Sequence, residues 1–180
     1  LAHNFRDLLE DQKAHRWQPD KYAARMVELS GSTMGILALG DIGTAIARRA
    51  HGFGMEVYAV DLKPRPAPPE VRAVWGLEKL DDLLRMSDWF VVTAPLTQKS
   101  RGLIDRRRIG LLKPGARVIV VSRGGIVDEE ALVEGLRSGR IAAARIDLLQ
   151  PRVVLFAADR PSYLLGYGRD LQGRTLTMPA

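Results

Sequence analysis

Glycines at 40 and 43, with Ala38 at the preceding position of the same spacing, punctuate the stretch Thr33-Met-Gly-Ile-Leu-Ala-Leu-Gly-Asp-Ile-Gly-Thr-Ala-Ile-Ala-Arg-Arg49. This is the G-x-G-x-x-G pattern with alanine in its first place. Each place has its own demand: a tight turn, close approach of backbone to a pyrophosphate, and close packing of helix on strand. Alanine is the mildest replacement at the first, although it adopts positive φ less cheaply than glycine. Backbone N–H groups at Asp41 and Ile42, unpartnered at a helix start, would meet phosphate charge. The acidic side chain of Asp41 would not help. Eighteen residues after Gly43 stands Asp61. A carboxylate there accepts hydrogen bonds from ribose hydroxyls and repels a 2′-phosphate, which favours NAD. Lys63 and Arg65 follow closely and leave NADP open.

Such a pattern binds a dinucleotide only if a strand precedes the glycines and a helix follows. Residues 34–39 form an apolar run too short for a helix, hence a buried strand, and Ile42, Ala45, Ile46 and Ala50 then recur at helical spacing. Residues 55–60 read as the second strand. Further strands are expected at 71–75, 89–93, 117–121 and 141–146, and helices at 80–84, 104–112 and 129–137. Asp128 caps the last of these helices and Gly139 ends it. Residues 1 to about 16 carry an amphipathic helix that packs on the sheet or makes a subunit contact. Trp17 to Pro19 opens an irregular lead-in. Pro64-Arg-Pro-Ala-Pro-Pro69 is expected to form a stiff loop beside the adenosine. Alternating strands and helices imply an α/β fold, a doubly wound parallel sheet (Rossmann fold) in three α/β/α layers. The chain divides into a helix and lead-in (1–28), a dinucleotide-binding domain (29–150) and a tail (151–180). Ligands in this architecture sit beyond the carboxyl ends of the strands, so Gly40, Asp61, Ala94-Pro95, Ser122-Arg123 and Asp147 share one rim.

Composition narrows the choices. With 46% apolar and 27% charged residues, the 180-residue chain has the balance of a soluble globular domain. No segment approaches the ~20 apolar residues of a membrane span, and the start lacks the apolar core of a signal peptide. A cytoplasmic location is expected. Leucine at position one suggests that the sequence begins inside a longer polypeptide. There is no cysteine, and the three histidines (His3, His15 and His51) have no ligand spacing, so no metal site is expected. The net charge of +6 is dispersed. Its one tight run, Arg106-Arg107-Arg108, has no interleaved aromatics and reads as a solvated helix face, so neither nucleic acid nor membrane is an expected partner.

The chain resembles the nucleotide-binding domain of the D-isomer-specific 2-hydroxyacid dehydrogenases. The matching stretches are Gly35-Ile-Leu-Ala-Leu-Gly-Asp-Ile-Gly43, Ala94-Pro-Leu-Thr-Gln-Lys-Ser-Arg-Gly-Leu-Ile104, Leu112-Lys-Pro-Gly-Ala116, Ser122-Arg-Gly-Gly-Ile-Val-Asp-Glu-Glu-Ala-Leu132 and Leu136-Arg-Ser-Gly-Arg-Ile141. The resemblance implies hydride transfer between NAD(H) and a small 2-keto or 2-hydroxy acid. It gives pyrophosphate-binding amides at Asp41 and Ile42, beside the fingerprint glycines Gly40 and Gly43 of the same cofactor site, and a ribose contact at Asp61. Ala94, Pro95 and Ser100 border the adenosine, Val121, Ser122 and Arg123 border the nicotinamide, and Asp147 meets its carboxamide. Arg123 also matches the family's substrate arginine, since a planar guanidinium clamps a carboxylate bidentately. A structural arginine paired with a buried acid is the competing reading. A homodimer, through the subunit contact allowed to the N-terminal helix, is a separate expectation.

The departures matter as much. Arg152 stands where the family has a glutamate, Val120 where it usually has asparagine, and no histidine follows His51 to match the family's general acid. From Pro151 the pattern is lost, as a shifted reading frame, truncation or divergence would each produce. The family's separate substrate domain has no counterpart in this sequence. Catalysis by this chain alone is therefore not expected, and a catalytically silent dinucleotide-sensing interaction module is the rival reading.

Overall fold

The computed structural model describes residues 2, 5–23, 26–148, 163–169 and 175–176. Two short helices lead in, α1 (Phe5–Lys13) and α2 (Pro19–Ala23). The core then alternates: β1 (Thr33–Leu37), α3 (Asp41–Gly52), β2 (Glu56–Val60), β3 (Ala73–Trp75), α4 (Leu80–Met86), β4 (Trp89–Val92), α5 (Arg106–Ile109), β5 (Ala116–Val120), α6 (Glu129–Arg137), β6 (Ile141–Leu148), β7 (Tyr163–Arg169) and β8 (Thr175–Leu176). The sheet order is β3-β2-β1-β4-β5-β6-β7-β8. Every pairing is parallel except that of the edge strand β8. The expected doubly wound parallel sheet is present, and the tail contributes β7 and β8 to it.

Alternation along the strands explains the layers. Ile36, Val57, Ala59, Trp89 and Val91 face α3, whose Ala47 and Ala50 pack among them. Leu37, Val60, Phe90, Val92, Val118 and Val120 face the other way, onto Leu83 and Leu84 of α4, Ile109 of α5 and Leu132 and Leu136 of α6. A parallel strand covered on both faces must be apolar on both. This is why these segments read as continuous hydrophobic runs rather than alternating ones.

Several expectations need correction. The first helix is shorter than residues 1–16, and a second, α2, occupies the segment read as irregular. The helix expected at 104–112 shrinks to one turn, Arg106–Ile109, because Ile104 instead bridges Val127 in parallel and Asp105 caps the turn through Arg108 N–H at 2.8 Å. The arginine run is not simply solvated. Arg107 and Arg108 both reach Asp81 on α4, at 2.6 and 2.9 Å, and Arg106 pairs with Glu134 of α6. These ties hold α5 between its two neighbours. The proline-rich loop starts beside the candidate site, where Arg65 reaches the Leu39 carbonyl, and does not stay there. Strands β2 and β3 are parallel, so the loop must return to the opposite rim, and Pro69 lines a cleft there. Asp147 falls within β6 rather than beyond its tip.

Candidate cofactor site

The site is built on the turn between β1 and α3. Ala38 leaves the strand with φ of +75°, a left-handed conformation at the place where the fingerprint has its first glycine. For a residue with a Cβ that costs roughly 1–2 kcal/mol. The turn is held by four hydrogen bonds that together satisfy both backbone groups of both turn residues. Ala38 N–H donates to the Val60 carbonyl at 2.8 Å, and Leu39 N–H donates to Asp61 Oδ2 at 2.8 Å. The Thr93 hydroxyl lies 2.5 Å from the Ala38 carbonyl oxygen, and the Arg65 guanidinium donates to the Leu39 carbonyl. The turn is thus fixed before any ligand arrives.

Helix α3 begins immediately beyond it. Gly40 is the N-cap and offers no side-chain cap; the Thr44 N–H makes the first backbone closure onto Gly40 at 2.8 Å. The N–H groups of Asp41, Ile42 and Gly43 have no partner within the helix, as geometry requires. Together with the helix dipole they favour an anion at this end. Gly43 meets the third demand of the fingerprint: a Cβ there would land on the Ala38 carbonyl oxygen and come within 3.1 Å of Thr93 Oγ1.

A cleft of about 310 Å³ opens beside this turn, between the ends of β1, β2 and β4. Ala38, Gly40, Asp61, Lys63, Ala94, Pro95 and Ser100 line it. This is where the strand order reverses, since β1 is flanked by β2 on one side and β4 on the other. Asp61 is half-buried. Its Oδ2 accepts from Leu39 N–H, and its Oδ1 accepts from Lys63 N–H at 2.9 Å. Each oxygen keeps a second acceptor direction. Ser100 borders the cleft, but its hydroxyl works inside its own loop, donating to the Pro95 carbonyl at 2.7 Å and accepting from Thr97 N–H at 2.8 Å.

Val121, Ser122 and Arg123 lie further along the rim, after β5, and do not line that cleft. Their loop is stitched to the loop after β4: Gly102 N–H donates to the Gly125 carbonyl at 2.8 Å, and Ile104 N–H to Ile126 at 2.9 Å. The two loops therefore form one continuous shelf. Arg123 is exposed, and among the described residues nothing pairs with its guanidinium. A structural arginine bound to a buried acid does not fit this placement. The Ser122 Oγ is buried without a partner among the described residues. The Asp147 side chain, Arg152 and the tail positions where the resemblance fails lie outside what the structure describes.

No described histidine reaches this rim. His51 sits in the last turn of α3 and lines a cleft of about 430 Å³ at the opposite end of the sheet, with Glu56, Glu70 and Arg72. Among the described residues no group of three potential metal ligands gathers. No described helix is long and apolar enough to cross a membrane. Sequence reasoning missed Thr93 and Leu39 as parts of the turn. The one signal available was that residue 93 ends the strand expected beside β1.

Residues 1–162 match the family described as D-isomer specific 2-hydroxyacid dehydrogenase, NAD binding domain. A glyoxylate reductase of Thermococcus onnurineus is 41% identical over 136 residues, which are 74% of this chain and 39% of that protein. A D-3-phosphoglycerate dehydrogenase of Methanocaldococcus jannaschii is 36% identical over 152 residues, 83% of this chain and 28% of that protein. The crystal structure of a D-isomer specific 2-hydroxyacid dehydrogenase from Xanthobacter autotrophicus Py2, in complex with NADPH and MES, superposes with a TM-score of 0.75 at 31% identity, covering 92% of this chain and 51% of that one. The matched part of these curated relatives is well under half of their length.

Proposed function

The chain belongs to the D-isomer specific 2-hydroxyacid dehydrogenase family, and from that premise we propose that it forms the NAD(H)-holding part of an oxidoreductase acting on a small 2-keto or 2-hydroxy acid. The observation that carries this reading is the turn at Ala38-Leu39, fully hydrogen-bonded without a ligand and leading straight into the open amides of α3.

In this reading the amides of Asp41 and Ile42 hold the pyrophosphate, and Gly40 and Gly43 let it and the helix approach. Asp61 accepts from the ribose hydroxyls with its free acceptor directions. Ala94, Pro95 and Ser100 wall the adenosine side, Val121, Ser122 and Arg123 border the nicotinamide, and Asp147 meets its carboxamide. The bound cofactor supplies or accepts a hydride. Arg123, exposed and without a partner among the described residues, would clamp the carboxylate of a 2-keto acid and polarise the adjacent carbonyl. NAD is preferred to NADP because the Asp61 carboxylate faces the ribose position, while Arg65 is already engaged on the Leu39 carbonyl rather than free for a phosphate.

Turnover by this chain alone is expected to be absent. A positioned acid is worth about 100- to 10,000-fold in rate, and no described histidine lines the rim cleft to serve as one. Orientation by a substrate-binding domain is worth ~7–11 kcal/mol more. The same observation keeps a second reading open, a silent dinucleotide-sensing module. A protein partner captured only in the presence of NADH would favour it. A homodimer is proposed through the N-terminal segment, where Leu9, Trp17 and Met26 are exposed at 54%, 77% and 45%; sedimentation at graded concentrations tests it. The cofactor proposal is tested by titrating the chain with NADH and with NADPH. Tighter binding of NADPH would refute the role given to Asp61.

A further inference from the structure

The turn that replaces glycine with alanine has an unusual support. Thr93 follows the last residue of β4, and its N–H donates to the Leu37 carbonyl at 3.0 Å, continuing the ladder between β4 and β1. Its backbone position is therefore fixed. A β-branched side chain on a fixed backbone has few rotamers, and the one adopted puts Oγ1 2.5 Å from the Ala38 carbonyl oxygen and 3.1 Å from that of Leu37. A hydroxyl carries one hydrogen, and the shorter contact takes it.

That carbonyl needs a donor. At φ of +75° the chain has turned out of the strand, so the Ala38 carbonyl lies off the β4 ladder. It is wedged instead against Gly43 at the start of α3, where an added Cβ would strike both the carbonyl and Thr93 Oγ1. The three groups are interlocked: the hydroxyl of Thr93, the carbonyl of Ala38 and the bare Cα of Gly43. A glycine at 38 would hold this conformation without strain. Alanine holds it against a steric penalty, and an unpaired carbonyl would add to that penalty.

We propose that Thr93 is a positioning residue for cofactor binding. Its hydroxyl keeps the Ala38 carbonyl turned inward onto α3, and so keeps the Asp41 and Ile42 amides aimed at the pyrophosphate. The need for it arises because residue 38 is not glycine. This inference rests on the NAD(H) reading of the site and adds a residue that reading did not contain.

The test is a double-mutant cycle on the 180-residue chain, with NADH binding followed by fluorescence titration. Thr93→Val keeps the shape and removes the hydroxyl; it should weaken NADH by about tenfold, the scale of one lost hydrogen bond with its acceptor left unpaired. Thr93→Ser should stay within about twofold of the parent. In an Ala38→Gly background the same Thr93→Val change should cost much less than tenfold, since a glycine turn carries no steric penalty to add to the unpaired carbonyl. Unchanged affinity in Thr93→Val, or losses that simply multiply in the double variant, overturns the proposal. Amide hydrogen exchange at residues 39–44 is the second readout. Thr93→Val should speed it, and less so in the Ala38→Gly background, while equal rates in all variants also overturn the brace. Thr93→Ala serves if valine prevents folding. If the parent chain binds no NADH while this exchange pattern holds, the cofactor reading fails and the brace stands.

Discussion

Gly43→Ala is the substitution whose consequence can be worked most directly from the geometry. The added methyl would overlap the Ala38 carbonyl oxygen and press on Thr93 Oγ1 at 3.1 Å. The first is backbone and the second is held by the β1–β4 ladder, so neither can swing away like the end of a lysine. Helix α3 must lift from β1, or the Ala38 turn must open. Forcing a methylene into such a contact costs typically 1–3 kcal/mol, which in a domain of this size lowers the melting temperature by roughly 2–12 °C. Either adjustment also misaligns the amides at the start of α3. NADH at a hundred times its Kd should stabilise the parent by ~2.7 kcal/mol, and the same concentration should stabilise the variant far less. Differential scanning fluorimetry with and without NADH reads both effects. A variant that melts with the parent and gains as much from NADH would refute the packing argument and the aim of the helix together.

Other expected outcomes are independent of that one. Arg107, and then Arg108, hold the Asp81 carboxyl at about 2, below its ordinary 3.8. A depressed carboxylate stabilises the fold above its unfolded pKa and loses that contribution as pH falls through the folded one, so the loss should run from about pH 4 down to pH 2. Asp81→Asn should flatten this part of the acid-unfolding curve. Asp128 accepts from Ala131 N–H at 2.9 Å as the cap of α6, and Asp128→Ala should cost about 0.5–2 kcal/mol in urea unfolding. Asp61→Ser should narrow the preference for NADH over NADPH in parallel titrations; an unchanged ratio would show that the carboxylate does not set it.

What could be read from the chain was what local chemistry dictates. Apolar runs long enough for one strand, Gly139 at φ +76° after α6, and the Asp128 cap were all legible, because each depends on residues within a few positions. The failures have long-range causes. Ile109 and Leu112 are three apart, as on one face of a helix, yet Ile104 at the start of the segment is drawn into a bridge with Val127. The acid beside the arginine run in sequence, Asp105, is spent on capping the turn, and the partner of Arg107 and Arg108, Asp81, comes from α4. Helix α2 has five residues, too few for a period to register. In the site, Asp61 and Gly43 were recognisable from spacing. Thr93 was not, because its meaning appears only when it meets Ala38, fifty-five positions earlier.

The central claim is that the rim beside Gly40 and Asp61 holds NAD(H). Titration of the 180-residue chain with NADH, followed by energy transfer from its tryptophans to the nicotinamide, tests it most directly. The account predicts saturable binding, tighter than that of NADPH, lost in Gly43→Ala, with no consumption of NADH when glyoxylate, hydroxypyruvate or pyruvate is added. A folded chain that binds neither dinucleotide, or binds NADH equally well in Gly43→Ala, would contradict it.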